Sequence, residues 1–126
     1  MSVRILLIVN AVYMTLVALA SIFAPAALLE SNGMDVNPDT LNLQRVAGTL
    51  VVGYAVASWL MRNAAHSEAR RAFLIGGGIG FIVGVVVFTF NYFTSEGHAS
   101  GLLFIGISLL LGIAFLYWGF RKPGEQ

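Results

Sequence analysis

Few residues in this chain could do chemistry, and most of those stand inside apolar surroundings. Asn10 and Tyr13 are three positions apart, which puts them on one face of a helix. Arg45, Thr49 and Tyr54 fall within a second hydrophobic stretch, and Asn91 and Tyr92 near the end of a third. An amide, a phenol and a guanidinium can bind an anion or a polar small molecule through hydrogen bonds. They supply no nucleophile and no general base poised near neutral pH. Asn10, Tyr13, Arg45, Tyr54, Asn91 and Tyr92 are therefore the expected ligand-binding set, around a cavity opening outward near Arg45. Plainer roles compete with it. Asn10 can hydrogen-bond between helices. Arg45 can snorkel to lipid phosphate or pair with Glu30, Asp39 or Glu96.

The remaining reactive groups point away from catalysis. The chain has no cysteine, so disulfides, thiolate metal sites and thiol redox chemistry are excluded. Its two histidines, His66 and His98, fall in different loops, on opposite sides of the membrane in the topology below. Metal and cofactor sites are accordingly not expected. Glu30, Asp35, Asp39, Glu96 and His98 share one side and could hold a divalent cation through oxygen ligands, but a solvated acidic surface explains them as well. No acid lies within a hydrophobic stretch, which argues against proton coupling. No catalytic residue is expected. A membrane enzyme acting on lipid is the least supported reading.

The elements that hold these side chains follow from composition. Of 126 residues, 58% are hydrophobic and only 10% charged, with a mean hydropathy of +0.84. Soluble domains carry about 25% charged residues. A net charge of +1 offers no field for a nucleic-acid backbone, so the expected partner is the lipid bilayer. A crossing needs about 20 mainly apolar helical residues. Four stretches qualify: 3–23, 41–61, 72–93 and 101–120. All three prolines fall outside them. The expected fold is all-α, a single-domain up-and-down bundle of four transmembrane helices. The first stretch shares features with a signal peptide, namely Arg4, an apolar run and the small residues 18–20. Its length, with Asn10 and Tyr13 inside it, favours a retained span.

Six of the seven basic residues (Arg4, Arg62, Arg70, Arg71, Arg121 and Lys122) fall on the side shared by both termini and the middle loop. The positive-inside rule makes that side cytoplasmic, in a bacterial inner membrane. Trp59, Tyr117 and Trp118 mark its interface, and Phe23, Tyr92 and Phe93 mark the outer one. In the outer connection Pro25 can open a short interfacial helix that Gly33 ends, with Asn37 or Asp39 capping the second span. Ser67 and Glu68 can begin the third helix, and Gly97 permits the last outer turn.

Helix association in lipid relies on close packing at small residues. Ala72, Gly76, Gly80 and Gly84 recur every four residues, with Gly77 and Gly78 widening the stripe; Ser108 and Gly112 begin a second one. Either stripe can pack within the chain or across a homodimer. Phe23-Ala24-Pro25, Arg45-Val46-Ala47-Gly48 and Trp59-Leu60-Met61-Arg62, with the basic middle loop and glycine-rich third span, give a layout that resembles the small bacterial DoxX-like membrane proteins. The resemblance implies a four-helix inner-membrane protein and no specific activity. The expected function is non-enzymatic: a self-associating bundle, or an accessory subunit bound to a partner membrane protein. Small-molecule, anion or lipid binding or transport near Arg45 is the alternative.

Overall fold

A computed structural model describes residues 2–94 and 99–121. The expectations resting on Glu96, Gly97, His98, Lys122 and Pro123 lie outside the described residues. The described chain is all-helical: α1 (Val3–Phe23), α2 (Pro25–Ser31), α3 (Pro38–Met61), α4 (Glu68–Thr94) and α5 (Ala99–Phe120).

Local chemistry explains the boundaries. Ser2 caps α1 by accepting from the Ile5 amide. Pro25 opens α2, and Gly33, with φ 69, follows its end. Of the two candidate caps for α3, Asn37 is used. Its side chain accepts from the Thr40 amide while Thr40 Oγ1 accepts from the Asn37 amide, a reciprocal capping box. Asp39 lies in the first turn, where a carboxylate suits the helix dipole. Ser67 accepts from the Arg70 amide at the start of α4.

Three helices are long and apolar enough to cross a membrane: α1, α4 and the part of α5 from Gly101 to Phe120, with hydropathies of 2.3, 2.4 and 2.2. The expected second crossing differs. At 24 residues α3 is long enough, but Asn42, Gln44 and Arg45 dilute its apolar character. Large apolar side chains cover the outside of the molecule, including Leu50 at 75% and Leu110 at 71% exposure. A water-facing surface of that kind would aggregate; in a bilayer it is the lipid contact. The protein is membrane-embedded.

The bundle consists of two antiparallel pairs, α1 with α3 and α4 with α5, joined chiefly where α1 meets α5. Val3, Leu6, Leu7, Leu74, Leu111 and Phe115 form the shared core, near the end where α1 and α4 begin. At the other end α2 packs on α1, α3 and α5, burying Pro25 and Leu29.

The α4–α5 pair is zipped at glycines. A Cβ on Gly78 would come within 2.7 Å of Leu116 Cγ and 3.1 Å of the Leu116 amide nitrogen. One on Gly112 would meet Phe81 and Ile82, and one on Gly119 would meet Ile75 at 2.8 Å. A Cβ on Gly76 or Gly80 would meet nothing within 4 Å, and one on Gly84 would meet only Phe88 at 3.8 Å. The α5 stripe through Ser108 and Gly112 thus packs inward. On the α4 stripe, Gly76 and Gly80 are exposed and open, and no other helix packs against their backbone.

This asymmetry has a measurable consequence. Gly78→Ala should destabilise the bundle by about 1–3 kcal/mol through overpacking. Gly76→Ala and Gly80→Ala should leave the monomer as stable or gain up to about 1 kcal/mol of helix propensity. Reversible unfolding in mixed micelles under monomeric conditions checks both.

Candidate functional site

The polar interior of the bundle is built on the contact between α1 and α3. Asn10 is fully buried, as is Ser58, one helix over. Asn10 Nδ2 donates to Ser58 Oγ at 3.0 Å, and Ser58 Oγ donates to the Leu7 carbonyl at 2.8 Å. A second relay of the same form closes the other end of the pair. Gln44 Nε2 donates to Ser21 Oγ at 3.0 Å, and Ser21 Oγ donates to the Val17 carbonyl at 2.8 Å. Between these relays Gly48 lets the backbones approach, since a Cβ there would lie 2.8 Å from that of Ser21.

Tyr54 lies one helical turn before Ser58, on the same face of α3. Its ring stacks on Phe73 at 5.2 Å and meets Phe81 edge-on at 6.3 Å, which connects α3 to α4. Its hydroxyl lies beside the Asn10 side chain and sits where a Cβ on Gly77 would go. Among the described residues neither Tyr54 Oη nor Asn10 Oδ1 makes a hydrogen bond of regular geometry, although the two side chains are close enough to interact. Tyr13 of α1 meets the buried Ser108 of α5. Asn10, Tyr13 and Tyr54 thus lie along a polar seam linking α1, α3 and α5.

The other three expected site residues are elsewhere. Arg45 is exposed on α3, and no hydrogen bond or ion pair ties it to another described residue. Asn91 and Tyr92 are half-buried near the end of α4, where Tyr92 packs edge-on against Phe93 and approaches Gly101. Thr49 donates to the Val46 carbonyl of its own helix and is exposed. Among the described residues no group of three or more acids or histidines could hold a metal ion.

Where α3 and α4 diverge beside Tyr54, a groove of about 350 Å³ remains, lined by Tyr54, Gly76, Gly77, Gly80 and Phe81. A second, apolar groove of about 330 Å³ runs along α1 and α3, past Ala11, Thr15, Ala55 and Trp59. Neither is lined by Arg45, Asn91 or Tyr92.

Ser21, Gln44 and Ser58 join the expected Asn10 in this polar contact, although none of the three belongs to the expected ligand-binding set. The signals in the sequence are that Ser58 follows Tyr54 by four residues and that Ser21 continues the α1 face of Asn10 and Tyr13. Comparison with protein-family models, curated proteins and solved structures finds no match.

Ser58→Ala should cost about 1 kcal/mol, the range of interhelical hydrogen bonds in membranes. Tyr54→Phe should cost little, because the lost hydroxyl makes no hydrogen bond of regular geometry and only approaches the Asn10 side chain. Gly77→Ala should be strongly destabilising, and adding Tyr54→Phe should restore about 1 kcal/mol of that loss. A double-mutant cycle on micellar unfolding reads the coupling; additive effects would contradict the Tyr54–Gly77 contact.

Proposed function

We propose that the chain is a non-enzymatic inner-membrane protein that crosses the bilayer four times and self-associates through the outer glycine face of α4. The observation that carries the reading is the open space at Gly76 and Gly80. With Ala72 and Gly84 they make one helix face where a second backbone can approach closely. Exposed Ile79 and Val83 flank that face and supply side chains to interdigitate. Two copies inserted in the same sense place like faces together about a two-fold axis along the membrane normal. The adjacent Tyr54–Phe81 groove gives the partner's larger side chains room to pack.

Support for the fourth crossing comes from length and register. The 24 residues of α3 extend about 36 Å, more than the hydrocarbon thickness of about 30 Å. The two relays hold α3 alongside α1 over most of α1's length. Its polar residues Asn42 and Gln44 fall near one end, and Gln44 is satisfied by Ser21. The crowding of basic residues at the opposite end supports cytoplasmic termini.

Gly80→Leu should weaken dimerisation in lipid at least about tenfold while leaving monomer stability nearly unchanged, because the site is open within the chain. Arg45→Ala should leave assembly intact. Energy transfer between labelled copies in vesicles measures both. A wild-type chain that stays monomeric alone but copurifies with another membrane protein would assign the face to an accessory-subunit contact instead.

A further inference from the structure

We propose that the end of the bundle where α1 and α4 begin holds a phosphate-binding site. Four helix termini meet there around a cavity of about 330 Å³, lined by Arg4, Arg62, Arg70, Ser2, Asn63 and Trp118, among others. Among the described residues three guanidinium groups line it and no acid does. The acid of the neighbouring turn, Glu68, is engaged elsewhere, 4.0 Å from Arg71.

The three arginines are held in different ways. Arg70 is buried, and its Nη1 donates to the Ala64 carbonyl at 2.8 Å. The Arg62 guanidinium carbon lies over the Trp59 ring, 3.8 Å from its centroid, and Nη1 donates to the Trp59 carbonyl. That contact uses one of its five N–H donors. Arg4 is exposed, and no hydrogen bond or ion pair with a described residue occupies it. The first turn of α1, at Ser2 and Val3, adds the positive pole of a 21-residue helix to the same cavity. Three like charges around one hollow repel one another, and a phosphate monoester or diester offsets that repulsion with paired, charge-assisted hydrogen bonds. Asn63 and Ser2 add neutral hydrogen-bonding groups, and Trp118 with Val3 forms an apolar wall. The wall suits the glycerol and acyl portion of a lipid as well as a small organic phosphate.

The shared chemistry is the phosphate group, and the source is decided by experiment. Protein in dodecyl maltoside is titrated with phosphatidylglycerol, with phosphatidylcholine of the same chains, and with inorganic phosphate. Native mass spectrometry follows the lipids and tryptophan fluorescence follows the free anion. Saturable phosphatidylglycerol binding that exceeds phosphatidylcholine binding assigns a lipid headgroup; saturable inorganic phosphate binding without lipid assigns a soluble ligand. In either case Arg4→Gln with Arg62→Gln should weaken binding at least about tenfold. Arg45→Gln, at the far end of α3, should not weaken it. Arg4→Gln alone touches no internal contact and should still cost about threefold, which keeps the test valid if the double variant fails to fold. Equal binding of the two lipids with no phosphate binding, or wild-type affinity in the arginine variants, would overturn the proposal.

Discussion

The structure depends on the register of α3 against α1, set by two relays in which an amide donates to a serine and the serine donates to an α1 carbonyl. Lipid tails are as apolar as leucine, so burial of apolar surface does not by itself choose one alignment of two helices. A buried amide does, because sliding α3 by one turn would take the Asn10 and Gln44 amides away from the serines they donate to. The relays lie eleven residues apart along α1, about 16 Å, so they fix tilt as well as register. They also explain how the least apolar long helix keeps its place. Its polar residue Gln44 is satisfied by Ser21 of α1.

That register determines what happens on the far side of α3. Tyr54 is carried one turn from Ser58, so the Asn10–Ser58 bond sets the height at which its ring meets α4. At that height the opposing residue is Gly77, which has no side chain to displace the hydroxyl. The ring holds the two helix pairs apart at this point, and Phe73, Phe81 and Phe115 close around it through ring contacts of 5.2 to 6.3 Å. The groove above the ring is therefore a consequence of an aromatic spacer set by a hydrogen bond, not of loose packing. The α4–α5 pair solves association differently, with bare backbone at Gly78, Gly112 and Gly119 receiving leucine and isoleucine.

Helix existence and ends were readable from local signals. Long apolar runs, Pro25, Gly33 and the candidate cap Asn37 each act within a few residues of where they stand. Azimuth was not readable. Gly76, Gly77, Gly78 and Gly80 cover more than half the circumference of α4, so a four-residue period alone cannot say which of them meets α5. The regular stripe was legible, but Gly76 and Gly80 on it are open, and the packing falls to its neighbours. The site divided for the same reason. Depth could be counted along each span, which placed Arg45, Asn91 and Tyr92 near one level. Depth does not say that α3 and α4 belong to different pairs whose outer halves are not packed together. Asn10, Tyr13 and Tyr54 converge because they lie in the half where the pairs share a core.

The two ends of the bundle are electrostatically unlike, and the difference is structural as well as topological. At the arginine-rich end, aromatic faces and carbonyls are arranged around cations: Trp59 beneath Arg62, Tyr117 and Trp118 beside Arg121, and the Ala64 carbonyl on Arg70. These contacts reduce the hydration that each guanidinium would otherwise keep, and they hold the charges in fixed positions. Fixed, partly dehydrated cations near a low-dielectric slab repel more strongly than mobile ones in water. A bundle that needed these residues only as a topology signal would gain more from leaving them long, flexible and solvated. The placement of Arg4, Arg62 and the buried Arg70 around one hollow is an arrangement that a bound anion would stabilise.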